Sequence, residues 1–185
     1  QPAKRKEFMR LCKSYTKDYT EGPQMFKHGT SSVVPVANML STFPYKNRTE
    51  GSSPDAETLD GARIVESFET YGGGMHNCMT GCIVQCSNIV HDKDGNYKTS
   101  ALEFETLTML GANCAIQSWE DVADLDRLCD DVGLDTVETG AAIAILMESG
   151  GLEDRRELRN PGRRHAQLYD GLHRPVLEHR SRQGR

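Results

Sequence analysis

The chain has 185 residues, of which 37% are hydrophobic, 6% aromatic and 26% charged, with a formal net charge of −5. So little apolar material is low for a self-sufficient globule of this size and reads as part of something larger, while the acidic balance argues against a nucleic-acid surface over the main body. No run approaches membrane-spanning length, and the opening Gln1-Pro2-Ala3-Lys4-Arg5-Lys6 lacks the apolar stretch of a targeting or anchoring segment; a reducing, cytoplasmic setting is expected.

The predicted elements are mostly helical. Residues 4–18 place Phe8, Leu11 and Tyr15 among alternating charges, a weak amphipathic helix, and residues 30–40 put Val33, Val34, Val36, Ala37 and Leu40 on a broad apolar face. Residues 47–55, with Gly51-Ser52-Ser53-Pro54, read as a loop, and helical patterning returns over 59–68 through Ile64, Val65 and Phe68. Gly72-Gly73-Gly74 then reads as a flexible joint or as a close backbone approach to a bound cofactor.

Next comes the most informative segment, His76-Asn77-Cys78-Met79-Thr80-Gly81-Cys82-Ile83-Val84-Gln85-Cys86. Thiolates this closely spaced can all point at one centre, which is how iron–sulfur clusters and soft metals are held. A zinc site usually shows a second close pair of Cys or His, and only the isolated Cys114 and Cys129, expected as core fillers, follow. The alternative is that Cys78, Cys82 and Cys86, at helical spacing, line a buried face in register.

After the cysteines, Ile89-Val90-His91 and Asn96-Tyr97-Lys98-Thr99 flank Asp92-Lys93-Asp94-Gly95, a short β-hairpin closed by an Asp-Gly turn. The Asp-x-Asp-Gly pattern lacks the remaining ligands and closing glutamate of a calcium loop. Three helices follow: 102–110, 120–129 after a capping Ser118, and 136–147, whose run Ala141-Ala142-Ile143-Ala144-Ile145-Leu146-Met147 is apolar almost all round and expected to be buried. In the intervening Asp130-Asp131-Val132-Gly133-Leu134-Asp135-Thr136, Gly133 can cap one helix and Asp135 the next.

Charge usage breaks near residue 152. Residues 152–185 hold nine arginines, no lysine and five acidic residues, about +4, whereas the preceding part holds all eight lysines and balances near −9. The tail is open to three readings: a basic arm for an acidic partner, a disordered terminus, or an out-of-frame gene end, which the abrupt loss of lysine favours.

Cys78, Cys82 and Cys86, then Leu102-Glu103-Phe104-Glu105-Thr106-Leu107, Leu110-Gly111-Ala112-Asn113-Cys114 and the Asp130–Thr136 motif together resemble the middle of aldehyde ferredoxin oxidoreductases. The likeness extends upstream through His28-Gly29-Thr30, Ala37-Asn38 and Pro44, and covers roughly residues 1–150. The best-known members carry Cys-x2-Cys-x3-Cys, whereas three residues fill the first gap here, a divergent spacing.

The resemblance implies that residues 1–151 are a partial helical domain, the start of the helical part that follows the family's β-rich N-terminal domain: a mainly α fold with one short hairpin. It implies a 4Fe-4S cluster beside a tungsten (or molybdenum) bis-pterin, with Cys78, Cys82 and Cys86 as three cluster ligands and the fourth from a downstream stretch that this chain lacks. Asp130, Gly133, Leu134, Asp135 and Thr136 would line a pterin edge. Glu103 or Glu105 would handle a proton near the metal, and, if both lie on a helix about 200° apart, only one can face inward. The activity implied is oxidation of an aldehyde, or another small carbonyl compound, to a carboxylic acid with electrons passed to ferredoxin or another electron-transfer protein, without a nucleic-acid or membrane partner. Two other readings stay open: an inactive truncated fragment, and a small thiolate zinc-binding interaction module.

Overall fold

The structure, a computed structural model, describes residues 3–21 and 25–150. The Arg-rich tail read from the sequence lies outside the described residues. Helix α1 (Arg5–Thr20) forms as its pattern predicts, with Lys4–Glu7 (3.3 Å) and Lys17–Glu21 (3.9 Å) ion pairs at its ends. None of its residues is buried, and Phe8, Leu11, Tyr15 and Tyr19 are each at least half exposed, so the amphipathic face is present but uncovered.

The apolar segment 30–40 divides into a 3-10 turn (Thr30–Val33) and helix α3 (Val34–Met39), preceded by the single turn α2 (Met25–His28). Pro35 sits in the first turn of α3, where its missing N–H costs no helical bond. A 3-10 turn (Ala56–Leu59) leads into α4 (Gly61–Tyr71), which starts where the Asp60 side chain accepts from the Ala62 N–H at 3.3 Å.

Three strands make one antiparallel sheet in the order β1–β2–β3: β1 (Gly73–His76), β2 (Ser87–His91) and β3 (Tyr97–Ser100). The expected hairpin is β2–β3; Asp92 Oδ1 closes its turn by accepting from the Asp94 and Asn96 N–H groups, both at 2.9 Å. The added strand is a correction to the sequence reading. The glycine run is neither joint nor linker: Gly73 pairs with Val90, and a Cβ there would lie 2.2 Å from the Ile89 carbonyl oxygen, so the close approach is to β2.

Helix α4 packs along β1 and β2, and α6 (Trp119–Val132) along β3. The segment predicted as one helix over 102–110 is instead a short α-helical turn α5 (Phe104–Thr106), a π turn (Leu107–Gly111) and a 3-10 turn (Ala112–Cys114), buried from Thr106 to Cys114. Its leucines 107 and 110 join Val34, Phe43, Leu59, Ile64, Val90, Leu102 and Val122 in a fully buried core.

Ser118 caps α6 as expected, accepting from the Asp121 N–H at 3.2 Å. Helix α7 (Thr136–Glu148) buries Thr139, Gly140, Ile143 and Ala144, but Ile145 and Leu146 are 58% and 41% exposed, so its apolar circumference is only partly covered. By contacts the chain divides at Ala144, and everything described above up to that residue belongs to the first unit. The described part of the second unit is the end of α7, where the Ser149 N–H donates to the Ile145 carbonyl at 2.9 Å.

Candidate functional site

The cysteines occupy the irregular connection between β1 and β2. Cys78 is exposed and Cys82 and Cys86 half-buried, so they form no buried helical face. The Asn77 side chain donates to the Met79 carbonyl at 2.9 Å and the Cys82 N–H to the same carbonyl at 3.2 Å, shaping the first half of the loop. Its far end is fixed by close packing: a Cβ on Gly29 would lie 2.6 Å from the Cys86 carbonyl oxygen, so the His28-Gly29-Thr30 turn runs against it.

Burial pushes the Cys86 thiol up from its ordinary value, followed by the nearby Glu103 carboxylate and, further down, by Cys78 and Cys82. Cys78 and Cys82 therefore lie within electrostatic reach of Cys86. Among the described residues, no three His, Cys, Asp or Glu side chains are drawn together tightly enough to hold a metal ion.

Glu103 reaches this place through the Asn88 clamp. Buried Asn88 donates to the Leu102 carbonyl (3.0 Å) and accepts from the Leu102 N–H (3.1 Å), while the Ala101 N–H donates to the Asn88 carbonyl (2.8 Å). The next residue but one, Phe104, donates its N–H to Thr30 Oγ1 at 3.0 Å. Glu103 precedes α5 in an extended conformation (φ −91°, ψ 173°) rather than lying on the helix. The two carboxylates diverge for that reason: Glu103 is half-buried and Glu105 exposed.

Burial, and then Glu105, raise the Glu103 carboxyl above the usual range, with His76 opposing. His76 Nδ1 is itself buried and has no hydrogen-bond partner among the described residues. A polar ring nitrogen without a partner, beside a half-buried carboxyl and a thiol-bearing loop, is the kind of surface that a bound polar group satisfies. Thiol, imidazole and carboxyl groups thus share this surface, and the sulfurs would have to converge further to hold a cluster.

Helix α6 ends at Gly133 in the left-handed region (φ 71°), with the Gly133 N–H on the Asp130 carbonyl (3.2 Å) and the Leu134 N–H on the Cys129 carbonyl (2.9 Å). Asp135 Oδ1 accepts from the Glu138 N–H at 2.9 Å, capping α7. Asp130, Gly133, Leu134 and Asp135 are exposed, and Thr136 joins them to the rest: its hydroxyl bonds that of Thr106 at 3.0 Å, next in chain to Glu105. Cys114 and Cys129 are core residues at 2% and 4% exposure, and burial pushes their thiols up to about 12 and about 11.

Glu103 thus lies within electrostatic reach of both Cys86 and His76, Thr106 is bonded to Thr136, and Cys78 is exposed on the loop. A cavity of about 490 Å³ opens beside Glu105, lined also by Phe104, Thr108, Met109, Val137 and the 41–51 loop. Sequence reasoning did not single out His76, which is electrostatically coupled to Glu103, or Asn88, which holds the backbone before it. For His76 the signal was its place at the start of the cysteine run; for Asn88 nothing local marked it.

Residues 10–157 match the family described as "Aldehyde ferredoxin oxidoreductase, domains 2 & 3". The chain is similar to the tungsten-containing aldehyde ferredoxin oxidoreductase of Pyrococcus furiosus, 28% identical over 131 residues, which is 71% of this chain and 21% of that protein. Likenesses of 27% to the enzyme of that name from Thermococcus kodakarensis and 25% to that from Pyrococcus horikoshii cover the same shares. The chain spans about a fifth of the length of the curated relatives it matches.

Proposed function

Because this chain belongs to the aldehyde ferredoxin oxidoreductase family, matching it over residues 10–157, we propose that it is part of a tungsten (or molybdenum) pterin oxidoreductase. The enzyme would oxidise an aldehyde to the carboxylic acid and hand the electrons through a 4Fe-4S cluster to ferredoxin. The observation that carries this reading is the electrostatic coupling of Glu103 to both Cys86 and His76, with the Thr106–Thr136 bond tying the neighbouring turn to the acidic loop.

Cys78, Cys82 and Cys86 would hold the cluster, the 77–86 loop closing so that its sulfurs converge, and Asp130, Gly133, Leu134, Asp135 and Thr136 would face a pterin. When bound, these groups supply the two-electron oxygen-transfer chemistry and the single-electron path. The protein's part is acid–base and positional. Glu103, with a raised proton affinity, is suited to keep or pass a proton at its carboxyl oxygen, and Asn88 fixes the backbone that presents it. Glu105, on the cavity wall, meets whatever enters there. His76 Nδ1, buried without a partner among the described residues, would be reached by a cofactor atom or water only as the 77–86 loop rearranges.

Two measurements test the reading. Anaerobic reconstitution should yield iron and acid-labile sulfide, lost in Cys82→Ser and Cys86→Ser; stoichiometric zinc without sulfide would instead identify a zinc-binding module. In the loaded enzyme, Glu103→Gln should lower aldehyde-dependent reduction of a viologen dye about a hundredfold, and Glu105→Gln much less. Equal loss in both variants would remove Glu103 from the assigned role.

A further inference from the structure

The segment that carries Glu103 is held on both flanks. On one side Asn88 grips Leu102 through both its N–H and its carbonyl; on the other the Phe104 N–H donates to Thr30 Oγ1 at 3.0 Å, across 74 positions of sequence. Glu103 stands at the N-cap of α5, where a side chain ordinarily accepts from a free N–H of the first turn, yet its carboxyl makes no such bond. The hydroxyl of a remote residue takes one of those donors instead, and the Glu103 carboxyl is left out of the cap.

Thr30 can act on a distant segment because its own turn is fixed. Ser31, 1% exposed, donates its hydroxyl to the His28 carbonyl at 2.9 Å, and Ser32 donates its own to the Gly29 carbonyl at 2.8 Å. Helix α4 begins directly beneath: a Cβ on Gly61 would run into Ser31 Oγ and the His28 carbonyl oxygen. The Thr30 hydroxyl is thus presented by a braced turn and not by a free loop.

The same turn meets the end of the cysteine loop. From where a Cβ on Gly29 (φ 71°) would stand, the Cys86 carbonyl oxygen is 2.6 Å away and Met75 Cε 2.9 Å away. The contacts close a circuit: Cys86 leads through Ser87 to Asn88, Asn88 holds Leu102, Thr30 holds Phe104, and Gly29 returns to Cys86. Glu103 lies inside it, between two held neighbours, so its backbone cannot shift against the end of the cysteine loop without breaking a hydrogen bond or a packed contact.

We propose that Thr30 is a positioning residue for the reaction: by holding Phe104 from the 28–32 turn, its hydroxyl sets where the Glu103 carboxyl stands relative to the cysteine loop. Thr30 acts through the Phe104 backbone and not on the reacting groups themselves. The proposal rests on the proton-handling role given to Glu103 and adds to it the second of the two clamps that place it.

Thr30→Val keeps the shape of the side chain and removes the acceptor, while Thr30→Ser keeps the acceptor. In the metal-free full chain, hydrogen exchange should show the Phe104 amide losing protection about tenfold in Thr30→Val, while the Leu102 amide, still held by Asn88, keeps its own; Thr30→Ser should restore Phe104. In the loaded enzyme Thr30→Val should lower kcat for aldehyde-dependent viologen reduction roughly tenfold with KM little changed, and Thr30→Ser should recover it. Combined with Glu103→Gln it should cost little more, because a carboxylate already removed cannot be misplaced further. Unchanged Phe104 protection in a folded Thr30→Val, a kcat equal to the parent's, or a fully additive loss in the double variant would each overturn the proposal. A Glu103→Gln enzyme as active as its parent would overturn the role of Glu103, and the proposal with it, while leaving the Phe104 exchange result in place.

Discussion

Asp126 is a buried acid in α6, 4% exposed, whose carboxylate accepts a hydrogen bond from the Thr99 hydroxyl and has no basic partner among the described residues. Burial pushes its carboxyl up to about 7 from the ordinary 3.8, the Thr99 bond opposing and Asp130 adding to the rise. The folded state therefore keeps a proton that the unfolded chain has lost. Its contribution is most favourable below the unfolded value, declines as pH rises from about 4 to about 7, and then stays level. Asp126→Asn keeps the bond to Thr99 and removes that decline. Urea unfolding should place the variant near the parent at low pH and above it at pH 8, by on the order of a few kcal/mol. An undiminished pH slope in the variant would remove Asp126 as its source.

At the scale of elements, α7 is seated by its backbone. A Cβ on Gly140 would lie 2.4 Å from the Met109 carbonyl oxygen, and Cys114 Sγ donates to both the Met109 and Gly140 carbonyls at 3.3 Å. Gly140→Ala should cost about 2–4 kcal/mol, overriding alanine's advantage of about 1 kcal/mol within a helix, because the neighbour in the way is backbone and cannot swing aside. Gly133 has open space around its would-be Cβ, so Gly133→Ala pays only for its left-handed conformation, about 1–2 kcal/mol. Thermal melts of the two variants should rank Gly140→Ala the less stable. Asn88→Ala strips both clamp bonds from Leu102 and should cost about 2–3 kcal/mol, with movement of the Glu103 backbone seen in amide shifts.

At the scale of the molecule, stability resides in the core around Leu107, Leu110 and Val122, and α1 adds no buried residue to it. Deleting residues 5–20 should move the melting temperature by no more than about 2 °C, the shift expected of a fraction of a kcal/mol in a chain of this size. A larger drop would mean that the helix is held more firmly than its exposure indicates. Apolar side chains also remain exposed on α3 and the segment after it, with Met39 at 75% and Leu40 at 62%.

The sequence by itself determined much that acts over a few residues: helix caps at Ser118, Gly133 and Asp135, the Asp92 turn, the cysteine loop as a thiol-bearing segment, and the ordered motifs that identify the family. Periodicity and capping suffice there because the partners are near neighbours in the chain. It misread 102–110 as one plain helix, since nothing local signals a π turn whose Met109 carbonyl is packed against Gly140. The tertiary structure alone decided that Glu103 lies outside the helix, within electrostatic reach of Cys86 and His76, and that Thr106 meets Thr136. Those placements come from strand pairing, the Asn88 clamp and the seating of α7, contacts between residues far apart in sequence whose geometry no local pattern encodes.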